Sequence, residues 1–469
     1  MAGYHVENFG CRASRSDGEA IAANLRHNGL APAAASDSAH VVIVNTCSVT
    51  AEADRQARAY LRRVRRQNPA ARILVTGCYA QRSPEELAAL PEVDAVVGNS
   101  HKSMVAEIAL RIGTLPDVAS PHGFVPASAL APSVFHDDAF AHSELAALDF
   151  AADAQQTRPN LKVQDGCANR CSFCIIPTTR GPSRSVSLSA CLDNVRRFVD
   201  RDGKELVLSG INLGRWGRDL KPAERFEDLV AAILRNTALP RLRLSSIEPM
   251  DWSPDLLALY REYALGDHPR LARHTHLPLQ SGSDTILRRM HRRYRPWHYA
   301  ERLAAIRALL PDAAIGADVM IGFPGETHAL FQQSYDFIAA QPFTYLHLFP
   351  FSARPGTPGW DLHRRQPVAA RAVEERMAAL RALMAEKFLA FRRQFLGRIV
   401  SAVTMDAAGD GTTRAMTDNF LRLSLTGPGG TPVSGNQLVA ATVTALTPDG
   451  LAGVLSAPGW RQPLLPVGR

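Results

Sequence analysis

The sequence predicts an α/β protein in three parts: an N-terminal open parallel α/β domain, a central partial (β/α)6 barrel and a small C-terminal β-barrel. Three observations support this prediction. A chain of 469 residues is too long for one hydrophobic core. Short apolar runs alternate with helical stretches over residues 1–112 and again over residues 159–365, as in parallel sheets. Beyond residue 398 short alternating segments are separated by glycine-rich turns, which is typical of small barrels.

The N-terminal domain, residues 1–112, contains four predicted strands: YHVENF, VVIVNT, RILVTG and DAVVGN. Each is followed by a helical stretch, which favours a parallel arrangement. Residues 113–158 are rich in Pro, Ala, Ser, Asp and His and have no firm periodicity. This second segment is therefore predicted to be a linker, and a domain boundary lies within it.

The central domain, residues 159–390, begins its six β/α units with the runs NLKVQDGC, KELVLSGINLG, RLRLSSIEP, HTHLPLQSGS, AIGADVMIGFPGE and TYLHLFPFS. Polar or glycine-rich motifs stand at nearly every strand's carboxyl end, where such barrels carry their chemistry. A helical segment, residues 370–397, leads to the C-terminal barrel, residues 398–460. The alternating segments of this barrel are IVSAVTMD, TRAMTDNFLRLSL and LVAATVTAL.

The composition narrows the class of protein. No stretch reaches the roughly 18 uncharged apolar residues that span a bilayer, and the N-terminus lacks the features of a signal peptide. We therefore expect a cytoplasmic protein that makes no membrane contact. The formal charge of +8 favours polyanionic partners without identifying nucleic acid. Seven cysteines in a reducing compartment favour metal ligation or catalysis over a disulfide framework.

Three cysteines follow the first strand of the central domain with C-x3-C-x2-C spacing: Cys167, Cys171 and Cys174. A 4Fe-4S cluster normally takes four thiolates, so three ligands leave one iron open. An open iron can chelate S-adenosylmethionine (SAM) and pass an electron to its sulfonium. The alternative is a zinc loop, but structural zinc needs four ligands in paired spacing and no fourth partner is near in sequence.

This loop resembles the signature loop of the radical SAM superfamily, in which an aromatic residue such as Phe173 precedes the last cysteine. The resemblance covers most of residues 159–365 and implies that side chains at successive strand ends contact SAM or line the reaction chamber. They are Ser209, Gly210 and Asn212 at the methionine end of SAM, and Ser245, Glu248, Gln280, Asp318 and Gly322 around the pocket or chamber. Each of them taken alone fits ordinary strand-end and turn chemistry equally well.

The other cysteines divide into two groups. Cys11, Cys47 and Cys78 each follow a predicted strand, and the loops after parallel strands gather at one sheet edge. Their convergence predicts a second iron-sulfur cluster with an open iron, and three independent buried thiols are the alternative. Cys191 has apolar neighbours at helical spacing, so it is predicted to be a core residue.

The motifs NFGC, VNTCSVTAEADRQAR and TGCYAQ are similar to those of the radical SAM methylthiotransferase family. This resemblance spans nearly the whole chain. It implies an auxiliary 4Fe-4S cluster in the N-terminal domain, a SAM-cleaving 4Fe-4S cluster in the central domain and a TRAM-like RNA-binding barrel at the end. Ser14 stands three residues after Cys11, where the family commonly has Asn, so a contact around the cluster is expected to differ.

The resemblance also implies the reaction. SAM cleavage would give a 5'-deoxyadenosyl radical that removes the C2 hydrogen of an adenine, and the auxiliary cluster would supply a methylated sulfur species. Three substrate groups are familiar in the family: isopentenyladenosine in tRNA, N6-threonylcarbamoyladenosine in tRNA, and an aspartate of a ribosomal protein. The runs TAEADRQAR, SGINLGRWGRDL and HLFPFSARPGTP are similar to the threonylcarbamoyladenosine enzymes, which act at position 37. A noncatalytic iron-sulfur protein that binds RNA or transfers electrons is the alternative of another class.

Two basic segments are candidates for RNA contact. The run DRQARAYLRRVRRQ predicts an amphipathic helix with a basic outer face, although a merely solvated face is equally compatible. The run LRRMHRRYR follows the fourth strand of the central barrel. The arginines concerned are Arg55, Arg58, Arg62, Arg63, Arg65 and Arg66 in the first segment, and Arg288, Arg289, Arg292 and Arg293 in the second. The expected partners are a tRNA anticodon loop and an electron donor such as flavodoxin or ferredoxin, and the chain is expected to be a monomer.

Overall fold

A computed structural model describes residues 3–114, 119–120, 123–124, 133–140, 157–265 and 269–456. It confirms the predicted α/β architecture: an N-terminal parallel sheet, a six-unit (β/α) domain and a closed C-terminal barrel. In these ranges no helix is both long enough and apolar enough to cross a membrane.

The N-terminal sheet has six strands in the order β2-β1-β3-β4-β5-β8, all parallel. Its helices cover both faces. The strands are β1 (Gly3–Asn8), β2 (Ala31–Pro32), β3 (Val41–Thr46), β4 (Arg72–Gly77), β5 (Ala95–Gly98) and β8 (Ser133–Phe135). The helices are α1 (Arg12–His27), α2 (Ala51–Gln67), α3 (Cys78–Arg82), α4 (Pro84–Ala88) and α5 (Val105–Thr114).

Burial on both faces explains why the middle strands form an uninterrupted apolar run. Every residue of β3 is buried, and one face packs against α2 while the other packs against α1 and α5. On α2 the predicted apolar stripe is confirmed, because Ala57, Leu61 and Val64 are fully buried. The six predicted arginines therefore occupy the rest of the helix surface.

Part of the segment predicted as a linker takes part in folded structure. β8 pairs with β5 and forms the outer edge of the N-terminal sheet, and two residue pairs, β6 (Ala119–Ser120) and β7 (Gly123–Phe124), form a short antiparallel ladder. Most other residues of 113–158 lie outside the described ranges. A three-residue edge strand carries too short an alternation to be recognised in sequence.

The central domain contains all six predicted strands in two parallel groups, β9-β11-β12 and β13-β14-β15. A parallel bridge between Ser246 and His276 links the two groups into one partial barrel. The strands are β9 (Asn160–Asp165), β11 (Glu205–Gly210), β12 (Arg241–Leu244), β13 (His274–His276), β14 (Ala314–Ile321) and β15 (Tyr345–Pro350), with β10 (Arg184–Ser185) antiparallel at the edge. The helices are α6 (Ile176–Arg180), α7 (Leu188–Asp200), α8 (Phe226–Asn236), α9 (Pro254–Ala264), α10 (Asp284–Arg289), α11 (Pro296–Leu309), α12 (His328–Ala340) and α13 (Pro358–Arg365).

A long helix, α14 (Ala370–Arg393), leads to a closed five-stranded barrel in the order β16-β17-β18-β20-β19. The strands are β16 (Ile399–Ala407), β17 (Thr413–Thr417), β18 (Arg422–Thr426), β19 (Leu438–Leu446) and β20 (Leu451–Leu455). The run TRAMTDNFLRLSL, which was predicted as one alternating segment, forms a hairpin of β17 and β18. Its turn contains Phe420 at a φ of 65°, which interrupts the extended backbone.

Candidate functional site: two cysteine sets on one cavity

Cys167, Cys171 and Cys174 lie on the loop between β9 and α6, so the structure places the predicted triad in one short turn. Gly166 begins the turn at a φ of 72°, and a Cβ there would lie 1.9 Å from the carbonyl oxygen of Pro182. Only glycine fits such a close backbone approach. The loop thus carries three sulfur ligands on a fixed backbone.

Nitrogen donors surround these sulfurs. The backbone N–H of Asn169 and the Asn212 amide donate to Cys167 Sγ at 3.4 and 3.6 Å, and Arg292 Nη1 donates to Cys171 Sγ at 3.3 Å. Burial raises the pKa of the Cys174 thiol to about 12. Because a metal ligand must be a thiolate, these donors provide the stabilisation that burial removes.

A cavity of about 550 Å³ opens beside this loop. Seven of the eight residues predicted for the SAM pocket line it: Ser209, Gly210, Asn212, Ser245, Glu248, Gln280 and Asp318. Gly322 is not among the residues that line it. This glycine adopts a φ of 78°, and a Cβ there would lie 2.6 Å from Val373 of α14, so its place is determined by helix packing.

Two buried oxygen atoms in this cavity have no hydrogen-bond partner within the described chain: Asn212 Oδ1 and Gln280 Oε1. Gln280 is held at a φ of 64°, which places a non-glycine residue in the left-handed region. Unpaired buried acceptors are costly unless a ligand satisfies them. The amino and hydroxyl groups of SAM are suitable donors, so the cavity fits that cofactor.

Arg292 belongs to this site and not to the predicted RNA-guiding segment. His291 ends the turn after α10 with a φ of 56°, and Arg292 then points inward with only 7% of its surface exposed. It binds Glu248 at 2.7 Å as well as Cys171. The run of arginines in the sequence could not indicate this turn, because charge alone does not reveal which of several arginine side chains is buried.

The second cysteine set converges at the carboxyl edge of the N-terminal sheet. Cys11, Cys47 and Cys78 follow β1, β3 and β4, which are neighbours in the sheet. A Cβ on Gly10 would lie 2.8 Å from Cys47 Sγ, so the first loop passes directly against the second cysteine. The arrangement fits a shared cluster better than three separate core thiols.

Polar groups contact each of these sulfurs. Val49 N donates to Cys47 Sγ and Asn99 Nδ2 to Cys78 Sγ, each at 3.5 Å. Cys11 Sγ lies 3.7 Å from the Ser14 hydroxyl. Burial, with the neighbouring Cys78, raises the pKa of Cys47 to about 12. The departure from the family pattern at Ser14 therefore keeps a polar contact to the first cysteine.

A buried ionic cluster joins the two cysteine-bearing domains. Arg180, at the end of α6, binds Asp165 at 2.9 Å and Asp17 of α1 at 3.0 Å. Lys102 also contacts Asp17 at 2.6 Å, and Lys162 contacts both carboxylates. Burial by itself raises the pKa of Asp17, but these positive charges hold it below its usual range. The sequence gives no local signal for pairs so distant along the chain.

Cys11 lines the same cavity as Cys167, Cys171 and Cys174. The N-terminal set therefore reaches this chamber through Cys11, while Cys47 and Cys78 are buried behind it. Cys191, in contrast, is fully buried in the core of the central domain, which confirms its prediction as a core residue.

The wall opposite the cluster loop carries His276, Asp318, Tyr345 and His347. Asp318 and His347 are partners in the β14–β15 register, and the imidazoles of His276 and His347 lie 3.1 and 3.2 Å from the Asp318 carboxylate. The possible ligand atoms of Asp318 and the two histidines lie within 4.8 Å of one another. His274 and His276 are two residues apart on one strand, and so are Tyr345 and His347 on another. Residues at this spacing lie on the same face of a strand, so the sequence could have predicted that each pair faces one side.

The fold and this chamber define a radical SAM enzyme. The radical SAM superfamily model matches residues 161–338, and the model described as "Uncharacterized protein family UPF0004" matches residues 3–98. A solved radical SAM methyltransferase, TsrM from Kitasatospora setae, aligns with a TM-score of 0.54 over 76% of this chain and 75% of its own, at 14% identity. That likeness extends to the fold.

The chain belongs more narrowly to the radical SAM methylthiotransferase family, whose cofactors are SAM and two 4Fe-4S clusters. It is 33% identical to the threonylcarbamoyladenosine tRNA methylthiotransferase MtaB of Bacillus subtilis over 91% of each chain. It is 33% identical to the MtaB of Aquifex aeolicus over 90% of this chain and 96% of that one. A tRNA-2-methylthio-N(6)-dimethylallyladenosine synthase of Parafrankia sp. is 32% identical over 91% of this chain and 84% of its own.

Proposed function

We propose that this enzyme converts N6-threonylcarbamoyladenosine, next to the anticodon of tRNA, into its 2-methylthio derivative. The observation that carries the proposal is the shared chamber, onto which Cys11 and the loop with Cys167, Cys171 and Cys174 both open. Bound to these cysteines, one cluster supplies the electron that cleaves SAM and the other supplies sulfur. An adenine that enters the chamber would lie near both clusters.

The chain's own residues prepare this chamber. Arg292 fixes Glu248 and Cys171 relative to each other, and the Asn212 amide donates to Cys167 while its oxygen has no partner within the described chain. Gln280 offers a second free oxygen acceptor. Together these groups would orient SAM through hydrogen bonds and exclude water from its place.

The choice of substrate rests on the relatives and on surface charge. The threonylcarbamoyladenosine relatives from Bacillus subtilis and Aquifex aeolicus are each 33% identical to this chain and are matched over 91% and 96% of their own length. The exposed arginines of α2 lie on the helix that follows Cys47, where they would meet a phosphate backbone. A splayed base in a single-stranded loop is the form in which RNA bases are commonly taken up by proteins.

Nucleoside mass spectrometry of tRNA tests the substrate. In cells that lack this gene we expect the 2-methylthio derivative of threonylcarbamoyladenosine to disappear and its unmodified precursor to accumulate. Loss of the isopentenyladenosine derivative instead, or an unchanged tRNA profile with a changed ribosomal protein mass, would support the corresponding family alternative and refute the proposal.

A paired cysteine replacement tests the two-cluster assignment. Anaerobic reconstitution should give roughly eight irons per chain in the unaltered enzyme, because each cubane contains four. Cys47→Ala should lower the count to about four, retain 5'-deoxyadenosine formation and lose the methylthio product. Cys191→Ala is the matched control and should retain both the count and the product. A noncatalytic protein would form no 5'-deoxyadenosine under reduction.

A further inference from the structure

We propose that Arg12 and His347 form a specificity subsite for the amino-acid side chain of the modified base. Arg12 binds the carboxylate of that side chain, and His347 accepts a hydrogen bond from its hydroxyl. This inference rests on the proposed function, because a threonylcarbamoyl group carries both of these functions. Arg12 and His347 line the chamber shared by the two cysteine sets.

Arg12 is a guanidinium without a counter-ion. It directly follows Cys11 and begins α1, and in the described parts of the chain no carboxylate forms an ion pair with it. Its Cζ lies 6.0 Å from the centroid of the Phe420 ring of the C-terminal barrel. A cation that faces a cavity without a partner is available to an anionic ligand, and a planar guanidinium can bind a carboxylate through two parallel hydrogen bonds.

The layer behind this end of the chamber carries excess positive charge. Glu205 is fully buried and contacts Arg158 and Arg243 at 2.7 Å and Arg241 at 3.5 Å. Around Asp418 and Asp312, two further arginines complete the layer. Five arginines thus face three carboxylates: Arg158, Arg241, Arg243, Arg273 and Arg398 against Glu205, Asp312 and Asp418.

This surplus raises the electrostatic potential at Arg12, which adds one more positive charge on the chamber side. A low-dielectric wall strengthens that field. An incoming carboxylate would be attracted there, whereas an apolar side chain would bury Arg12 without a partner at considerable cost.

His347 supplies the second contact. Its Nδ1 lies 3.2 Å from Asp318 Oδ1, and in the tautomer whose Nδ1–H donates to this carboxylate Nε2 is an acceptor. His276 also contacts the Asp318 carboxylate, which holds the carboxylate in place. The side chain of His347 is 60% exposed, so Nε2 can reach a substrate hydroxyl.

Tyr345 lies between the two contacts. Its ring is 5.4 Å from the His347 ring and 5.4 Å from the Phe420 ring against which Arg12 lies. The Tyr345 hydroxyl is already engaged by His274 at 2.7 Å and His276 at 3.1 Å. The Tyr345 ring therefore lies between the cationic and the polar contact, with its hydroxyl turned to the two histidines.

The test uses the reconstituted full-length enzyme and three anticodon stem-loop RNAs. They carry threonylcarbamoyladenosine, its carboxylate methyl ester, or isopentenyladenosine. We expect kcat/KM for the ester to be about 10- to 100-fold below that for the free acid, as for the loss of a hydrogen bond to a charged group. Arg12→Gln should lower kcat/KM for the free acid by a similar factor and leave the ester nearly unchanged, and Arg12→Lys should recover part of the loss.

Arg15→Gln is the matched control, since Arg15 lies on the same helix, is exposed and does not line the chamber. Iron content and 5'-deoxyadenosine formation should remain unchanged in Arg15→Gln, and iron content should remain unchanged in the two Arg12 variants. The unaltered enzyme should convert an analogue that lacks the threonyl hydroxyl less efficiently than the full substrate. His347→Ala should convert the two equally well.

Two outcomes would refute this assignment in different ways. If the enzyme converts free acid and ester with equal kcat/KM, or if Arg12→Gln weakens both equally, the subsite is wrong while the proposed function stands. If only the isopentenyladenosine RNA is converted, both the proposed function and the subsite are wrong, because that side chain offers Arg12 no carboxylate.

Discussion

Arg292 links a cluster ligand to the SAM pocket through a single side chain. It donates to Cys171 Sγ at 3.3 Å and to Glu248 at 2.7 Å, and it stacks over Tyr294 with 4.9 Å between Cζ and the ring centroid. A positive charge beside a thiolate ligand stabilises the reduced, more negative cluster. We therefore expect Arg292 to influence both electron transfer and SAM orientation.

Replacing this charge should therefore change the cluster before it changes the fold. In Arg292→Gln we expect a more negative reduction potential for the SAM-cleaving cluster and a roughly 10- to 100-fold slower formation of 5'-deoxyadenosine, as for other groups that support metal ligands. An anaerobic redox titration followed by electron paramagnetic resonance measures the potential. Arg293→Gln, its exposed neighbour, is the control. An unchanged potential would contradict the role given to the charge.

Asp17 has a structural role at the boundary between two domains. It is a buried carboxylate shared by Lys102, Lys162 and Arg180 across the boundary between the two cysteine-bearing domains. Asp17→Asn keeps the shape and removes the negative charge, and we expect it to destabilise the chain by about 3–5 kcal/mol, as when one partner of a buried ion pair is lost. Thermal unfolding of the cluster-free chain measures the loss.

The exposed pair Asp193–Arg196 provides the control for that experiment, since Asp193→Asn should change stability by about 1 kcal/mol or less. Equal effects of the two substitutions would show that burial of the ionic cluster is not what stabilises this boundary.

The pH dependence of stability follows from the same carboxylate. The surrounding cations hold the pKa of Asp17 below its usual value, so the unfolded chain binds its proton more readily than the folded chain. The stabilisation is present above the unfolded pKa of about 3.9 and is lost as pH falls below it. Cluster-free wild-type chain should therefore lose more stability than Asp17→Asn between about pH 5 and pH 3. Parallel pH profiles would contradict this.

At the scale of elements, α2 has two kinds of arginine. Arg58 contacts Tyr79 and Glu86, and Arg65 donates to the carbonyl oxygens of Pro69, Ala71 and Glu92 and to Asp94, so both hold the helix to its domain. Arg62, Arg63 and Arg66 are exposed on the outer face. This second group is the one that can meet RNA.

Reversing those three charges should weaken tRNA binding without unfolding the helix. For Arg62→Glu, Arg63→Glu and Arg66→Glu together we expect at least tenfold weaker affinity and a salt dependence reduced by about 2 in slope, because each lost phosphate contact contributes roughly 0.7–0.9. Filter binding at several salt concentrations measures both. The control combines Arg196→Glu, Arg197→Glu and Arg235→Glu on α7 and α8. Equal losses in both variants would indicate a nonspecific effect of net charge.

The sequence predicted those features that repeat along the chain. The strands that precede Cys11, Cys47 and Cys78 and the apolar stripe of α2 are local patterns, and the structure confirms the elements. The contact of Arg180 with Asp17 joins residues 163 positions apart, and the register that pairs Asp318 with His347 is likewise a property of the folded sheet. No local pattern could predict these pairs, because each depends on how two elements pack.

At the scale of the whole molecule, the C-terminal barrel is docked by buried charge. Arg243 is fully buried and donates to the carbonyl oxygens of Thr417 and Asp418, while Arg273 binds the Asp418 carboxylate at 2.7 Å. Phe420, in the same turn, stacks on His274 with 4.3 Å between ring centroids. This turn of the C-terminal barrel thus supports the wall of the reaction chamber.

This docking predicts that the barrel affects chemistry as well as RNA affinity. Asp418→Asn leaves Arg273 with Asp312 as its remaining carboxylate partner, and we expect a loss of about 3 kcal/mol and faster proteolytic release of the barrel. The turn should also loosen behind His274, so methylthio product should fall more than 5'-deoxyadenosine. Asp449→Asn, at the exposed pair with Arg422, is the matched control and should change neither measurement. Normal product with weakened RNA binding alone would instead show that the barrel acts only as an RNA-binding module.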